Sequence, residues 1–542
     1  MRRTVITILL ALAAWGAFAQ TMWDAYQFSE NNYGGTARTI AMGNAFTALG
    51  GDLGSVTINP AGSAVARYSQ FTVTPSMYIS VNDAVGLPFD GKANGFENEY
   101  INRKVSGGLP NVGVTLNFNT HRKSGLRNWS IGFVANASNT FMDNAYATGK
   151  NNETSFMGAM AADADYYIGT NETDRLPIFK ELYAPDAWDR HDWRMVLGAK
   201  SGMFENIKND ATGIETSHIL GASEIFSYDK DKDHYEIYLN GPITQKYSRR
   251  ISGGKRDYVF NVAFNISDIV FIGANLGMSS MEYRYEDVMI EKVDPSVTSP
   301  YFTDMKYTYN LKTTGFGVYG KFGIIVTPGA GFRFGAAIQT PTSVLLKDNF
   351  YMTGATNFID APNAKAETPE STFEYRLASP LRFNAGIAYA FGKFGVLSVD
   401  YELCNYNSMR FHNSDSIDDE EFSGTNTDIK EFMGKSHMLR AGLEIKPFQN
   451  FAVRAGYGLT TDPTMEYKED EKKDYTGAIS HRFSFGLGFD SGGSFFADLA
   501  CSARKNKDYI IPYADYLNDL PSPTIENKRT LWTAALTLGF RF

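Results

Sequence analysis

Apolar residues alternate with small or polar ones along most of this chain, and the intervals between the alternating runs are themselves short and long by turns. In "NVGVTLNFN", Val112, Val114, Leu116 and Phe118 alternate with Gly113, Thr115 and Asn117. "YVFNVAFNI" sets Tyr258, Phe260, Val262, Phe264 and Ile266 against Asn261 and Asn265, and "VFIGANLGM" sets Val270, Ile272, Ala274, Leu276 and Met278 against Gly273, Asn275 and Gly277. "RFSFGLGFD" does the same with Phe483, Phe485, Leu487 and Phe489. A period of two puts successive side chains on opposite faces of a strand, so each run has one apolar and one polar face.

About 14 such strands are expected, at 71–81, 110–120, 128–141, 250–266, 269–286, 307–326, 331–345, 372–391, 394–411, 435–446, 450–460, 480–490, 494–505 and 530–542. Ile266-Ser267-Asp268, Gly392-Lys393, Pro447-Phe448-Gln449 and Ser491-Gly492-Gly493 are tight turns. Between them lie the long polar segments 82–109, 142–249, 287–306, 346–371, 412–434, 461–479 and 506–529. Short turns at one end and long loops at the other predict an all-β fold, a transmembrane antiparallel barrel. Only closure leaves no strand edge unsatisfied in hydrocarbon. The last run, "TLWTAALTLGFRF", carries Trp532, Leu536, Leu538, Phe540 and Phe542 on its apolar face. A strand reaching the last residue requires a partner along its length, here the first strand. A secreted sandwich or propeller is the soluble alternative, and it does not call for alternating connection lengths.

The start of the chain gives the compartment. Arg2 and Arg3, an apolar run from Val5 to Ala14 and the small-residue site Ala17-Phe18-Ala19 read as a signal peptide over 1–19, too short to span a bilayer. The full chain carries a net charge of −9, and cleavage after Ala19 removes two arginines to leave −11, which argues against a nucleic-acid partner. Cys404 and Cys501 fall on opposite strand faces, so a bridge between them is not expected.

Segment 20–70 does not belong to the wall, which is expected over 71–542. It holds "ARTIAMGNAFTALGGDLGSVTINPAGSA", in which Ala37 to Leu49 is expected to be a short helix of small residues ended by Gly50 and Gly51. Pro60 forces Asn59 into an extended conformation. A 14-strand barrel is too wide for its own side chains to fill, so its lumen is a channel or holds a plug.

These residues carry a resemblance. "AMGNAFTALGGDLGSVTINPAG" at 41–62, "FRFGAAIQTPTSV" at 332–344 and "PLRFNAGIAYAFGKFGVLSVDYE" at 380–402 resemble the FadL/TodX outer-membrane transporters of long-chain fatty acids and other hydrophobic compounds. The resemblance implies an N-terminal luminal hatch gating at Gly43, Gly50, Gly51, Asn59, Pro60 and Ala61. It implies a C-terminal assembly signal, Phe540 and Phe542, read by the barrel-insertion machinery. It also implies passive uptake: capture among outer loops, passage into an apolar pocket, and sideways exit beside a kinked strand. The loops here are longer than the family's usual ones. The largest, 142–249, holds two stretches of helical character, with Phe156, Met157, Met160, Phe179, Leu182, Trp188 and Trp193 as candidate capture residues or as the packing of the loop itself.

Other signals are weaker. "DKDKDHYE" at 229–236 spaces Asp229, Asp231 and Asp233 like calcium ligands but has His234 where the loop wants glycine. "DSIDDEEF" at 415–422 and "KEDEKKD" at 468–474 are acidic loop runs that read either as solvated faces or as bridges to lipopolysaccharide through divalent ions. His121, His191, His218, His234, His412, His437 and His481 have no ligand spacing, so no metal or other cofactor is expected. No nucleotide loop and no nucleophile elbow is present, so an enzyme, such as an outer-membrane phospholipase, is not the expected reading. A binding role remains as the alternative: barrels of this type also serve as shuttles in a protein-secretion system.

Overall fold

A computed structural model describes residues 20–88, 95–169, 172–208, 215–229, 234–297, 300–414, 420–467, 473–516 and 521–542. The expected signal peptide lies outside them. Fourteen antiparallel strands form the wall: β1 Gln70–Gly86, β2 Tyr100–Asn119, β3 Leu126–Asn151, β4 Ile243–Ile266, β5 Val270–Val293, β6 Phe302–Gly329, β7 Phe332–Gln339 with Ser343–Phe358, β8 Ser371–Ala378 with Arg382–Ala390, β9 Gly395–Asn405, β10 Lys435–Phe448, β11 Phe451–Thr461, β12 Ile479–Asp490, β13 Phe495–Ile510 and β14 Ile525–Arg541. Each pairs with the next, and β14 returns to β1 from Gln70↔Arg541 to Gly86↔Ile525. Ser69 and Phe542 exchange backbone hydrogen bonds at 3.1 and 3.0 Å, so the terminal strand is tied to its end. Pro341 and Pro380 stand where β7 and β8 each break into two pieces, as the lost N–H of proline requires.

The alternation maps onto the wall as the period requires. Leu536 is 41 % exposed and Thr537 is fully buried. Phe133, Phe260, Ile272, Leu276, Phe483 and Phe485 point outward, while Asn136, Asn261, Asn265 and Asn275 are buried inside. Near the short turns, exposed Phe118, Phe334, Phe391, Phe394, Phe448, Phe451, Phe489 and Phe540 form an aromatic band. No described helix is long and apolar enough to cross a membrane, which says nothing of the strands.

Three differences from the sequence reading have local causes. The two ends of the 142–249 insert are wall: β3 and β4 pair as far as Asn151↔Ile243. The helix expected from Ala37 to Leu49 ends at Ala41, because Gly43 (φ 62°) and Asn44 (φ 61°) turn the chain into the left-handed region. An added helix, α1 (Met22–Ser29), precedes it; Thr21 and Asp24 close its first turn as a reciprocal capping box.

Candidate functional site

The lumen is filled by residues 22–65. After α1 come α2 (Ala37–Ala41) and two 3-10 turns, Leu53–Thr57 and Pro60–Val65, nearly all buried. What seats this segment is written into the polar faces of the strands. Asn261 donates to the carbonyl of Pro60 (3.1 Å), Asn275 to Val56 (2.8 Å), Asn136 to Gly54 (3.2 Å), Asn128 to Ala64 (3.1 Å) and Asn117 to Ala66 (2.6 Å). These asparagines give hatch carbonyls a donor from the wall where no sheet runs past them. Between them, wall glycines let the hatch backbone come close. A Cβ at Gly323 would stand 2.0 Å from Asn59 Oδ1, at Gly335 2.1 Å from the Thr47 carbonyl oxygen, at Gly456 2.2 Å from the Gly43 nitrogen, and at Gly442 2.4 Å from the Met42 oxygen.

The expected gate residues lie at this contact. Asn59 caps the second 3-10 turn, accepting from the Ala61 N–H (3.1 Å), with Pro60 at its first position. The other end of its amide donates to the carbonyls of Thr47 (2.7 Å) and of wall residues Ile324 (3.1 Å) and Ala336 (3.4 Å). Gly50 (φ 60°) and Gly51 (φ 75°) form the turn that brings Gly50 against Gly62. Charge adds to the seat: Arg38 meets Glu444 at 2.8 Å, and Glu444 also meets Arg454 at 2.7 Å. The Lys321 ammonium donates to the Thr57 carbonyl at 2.8 Å.

Above this plug, α1 occupies an apolar chamber. Met22, Ala25 and Phe28 pack with Phe141, Ile251, Met281, Tyr283, Leu311, Phe350, Tyr406 and Phe432. Its C-terminal carbonyls are held by Lys255, which donates to Phe28 (3.0 Å) and Glu30 (2.6 Å), and by Arg382, which donates to Ser29. Cations there also complement the helix dipole. Burial pushes the Asp24 carboxyl up to about 6, against the pull of its bonds to Thr21.

The wall has a window beside the hatch. β2 and β3 pair only from Asn119↔Asn128 to Asn111↔Asn136. Above that pair β2 stays with β1, while β3 stays with β4 and leans inward. Asn144 donates to the Asn82 side chain at 3.2 Å on the inner face of β1, and Ser80 donates to the Met142 carbonyl at 3.4 Å. A bulge at Ser138 marks the departure, where the β3–β4 register shifts between Ala137 and Asn139. The hatch takes up the freed groups: Asn32 and Gly34 donate to the carbonyls of Ser138 and Ala137, both at 2.7 Å. An isolated bridge, Asn98↔Thr148, closes the window at its upper end. A cavity of about 650 Å³ opens through it, lined on one side by Tyr78 and Ser106 to Leu109 and on the other by Ala137, Asn139, Thr140 and Gly253 to Arg256.

The outer insert forms a cap over the barrel mouth. Helices α3 (Phe156–Tyr167), α4 (Glu172–Glu181), α5 (Ala187–Arg190) and α6 (Trp193–Lys200) carry it. Phe156, Met157, Met160, Phe179 and Leu182 are buried in one core with Tyr307, Met352 and Tyr513, and Trp188 and Trp193 pack against that core. They are brought together, but inward. Phe540 is exposed on the outer wall, with its ring 5.4 Å from that of Phe495, and Phe542 is exposed just below. Residues 230–233 of the run 229–236 lie outside the described residues, as do 415–419 and 468–472 of the acidic runs. No group of three or more possible metal ligands occurs among the described residues. Cys404 is buried and Cys501 exposed, on opposite faces.

No family model and no curated relative matches the sequence. Solved structures do. A FadL homologue of Pseudomonas aeruginosa superposes over 95 % of this chain and 100 % of its own, at 10 % identity and a TM-score of 0.51. The chain has the FadL-type fold. The Pseudomonas putida toluene transporter TodX (11 % identity, 94 % and 99 % covered, TM-score 0.49) and the Ralstonia pickettii toluene transporter TbuX (11 %, 94 % and 99 %, 0.45) are also similar, at scores that add no weight. Within this fold the sequence pointed to the hatch turn and the alternating faces. It missed the asparagine clamps, the glycine seats and the window, although the clamps and seats lie on the polar strand faces.

Proposed function

We propose that this chain is an outer-membrane transport protein for passive uptake of long-chain fatty acids or other hydrophobic small molecules. The reading rests chiefly on the window, whose bulged strand is hydrogen-bonded directly to the hatch through Asn32 and Gly34. A shift of the hatch therefore changes the groups that hold β3 away from β2. An apolar ligand takes the place of α1 in the chamber of Phe141, Met281, Leu311 and Phe350. It then leaves sideways through the cavity rather than through a water-filled pore. Flow is down a gradient and needs no catalytic group. The barrel-insertion machinery places the chain in the membrane through Phe540 and Phe542, and the cap residues Phe156, Met157, Met160, Phe179, Leu182, Trp188 and Trp193 meet ligand only when the cap opens.

Gly107 lines the cavity and has open space where a Cβ would stand. Gly107 pairs with exposed Met77 on the outer face, so Gly107→Trp should cover the window's outer mouth without disturbing the wall. Uptake of a labelled fatty acid by cells should slow several-fold, while the heat-modifiable folded band on gels stays unchanged. Unaltered uptake in a correctly folded variant would remove the lateral route.

One observation favours the second reading, a shuttle for secreted proteins: the cap residues form a closed core rather than an open groove. Co-purification of a secreted polypeptide, with no lipid-like molecule extractable from the barrel, would decide for it.

A further inference from the structure

On the outer face of the wall, beside the window, the cavity continues across β4 to β8. Its floor is made of small residues, Gly254, Ser280 and Thr314. The pairing places side chains of this face in rows. The lowest, Tyr258↔Met278↔Val318, is apolar and continues the lipid-facing surface. The next, Arg256↔Ser280↔Phe316↔Leu345↔Arg376, is mixed. The two above it, Gly254↔Glu282↔Thr314↔Lys347↔Glu374 and Ser252↔Arg284↔Lys312↔Asn349, are polar and charged. The boundary between hydrocarbon and headgroups therefore runs along the groove.

The charge in these rows is unbalanced toward cations, although the chain as a whole is acidic. Glu282 is taken by Arg284 at 2.6 Å and Glu374 by Lys347 at 2.9 Å. Arg256 donates to the Leu109 carbonyl at the window's edge (2.8 Å), and neither it nor Lys312 has an ion-pair partner among the described residues. Phe316 and Leu345 lie exposed in the row of Arg256, two rows below Lys312.

We propose that this groove binds an anionic lipid of the outer leaflet, a phosphorylated glycolipid of the lipopolysaccharide type, with one phosphate on Arg256, a second on Lys312 just above the groove and two strands away, and acyl chains along Phe316 and Leu345. The inference rests on the outer-membrane reading above. Free phosphate matches the cations but makes no use of the exposed Phe316 and Leu345 beside them. A lipid satisfies both, and the site's height on the wall is where its headgroup sits. Bound there, the lipid borders the window, so ligand leaving the barrel enters next to a fixed lipid rather than a fluid one.

The test uses the full mature chain, folded into phosphatidylcholine vesicles containing fluorescent lipopolysaccharide, with the lipopolysaccharide retained per barrel measured after detergent extraction. Each cation near an anionic surface is worth roughly a factor of five in binding, so Arg256→Gln with Lys312→Gln should weaken retention by roughly twentyfold. Arg256→Lys with Lys312→Arg should restore it. Lys435→Gln, exposed on β10 away from the groove, should change nothing. Dephosphorylated lipopolysaccharide should bind the unaltered chain as weakly as the native lipid binds the double variant, and inorganic phosphate should compete poorly. Full retention by the double variant, or an equal loss from Lys435→Gln, overturns the site. A chain that never gives a heat-modifiable barrel in these vesicles would instead count against the membrane reading itself.

Discussion

A hydrogen atom at Gly335 decides whether the hatch can touch the wall. The Thr47 carbonyl sits 2.1 Å from where a Cβ would be, and that contact is backbone, so it cannot swing aside. Gly335→Val should expel this part of the hatch while leaving β7 paired. The expected result is a folded barrel in which segment 20–66 becomes sensitive to protease added from the turn side; an equally protected segment would show that the seat is not glycine-dependent. Outside the wall the logic inverts. Leu536→Arg, on the lipid face, should destabilise insertion by about 2–4 kcal/mol if it lies near the midplane, measured by urea titration of the folded barrel in lipid vesicles. The alternation alone suggests that Thr537→Arg, one residue on, is better tolerated because it faces the lumen. The structure changes that expectation: the Thr537 hydroxyl accepts from the Ala37 N–H at 2.7 Å and is fully buried. Which face a residue occupies was legible from the period of two. What stands opposite it was not, because the lumen is filled by a segment hundreds of residues away in sequence.

Strands were the most legible elements, since each carries its own period. Where β3 parts from β2 was hidden, because a one-residue bulge at Ser138 changes pairing without breaking the alternation strongly enough to read. The cap was legible as helical and apolar, but not as closed. Its base is a buried polar cluster: Glu291 accepts from the Phe156 N–H at 2.7 Å at the start of α3, and Glu224 accepts from the Gly221 N–H at 3.0 Å nearby. Burial pushes the Glu224 carboxyl from 4.5 up to about 7, with the Glu291 charge adding to the shift. A folded-state value above the unfolded one means that the protonated form is favoured in the closed cap. Cap stability should therefore be full below about pH 4.5, decline as pH rises to about 7, and level off above it. Hydrogen exchange of 152–169 at pH 5 and pH 8 should show faster opening at the higher pH, and Glu224→Gln should reduce the difference. An undiminished pH response in Glu224→Gln would assign the effect to another group.

For the whole molecule, the wall closes on itself without the plug, although many hydrogen bonds join the two. The wall closes through β1 and β14 without using any residue before Ser69. Deleting 20–66 should leave a heat-modifiable barrel and admit a small hydrophilic antibiotic that the intact chain excludes. Permeability equal to that of the intact chain would mean that the cap alone seals the lumen.

The join between β1 and β14 also dictates an order of events in time. Its pairs unite residues far apart in the sequence, Gln70 with Arg541 and Phe71 with Phe540, so the loop closed by these contacts takes in the whole of the wall. Contacts of such separation are the slowest to form, because their ordering entropy is lost before they reward it. The ring must therefore remain an open, curling sheet until its last strand arrives. During that interval the hatch has free access to the asparagines and glycines that will hold it. Once the seam shuts, the same seat is enclosed on all sides by hydrogen-bonded wall. The plug is thus enclosed while the cylinder is wrapped, and a chain that closed without it would have no easy way to put it in afterwards.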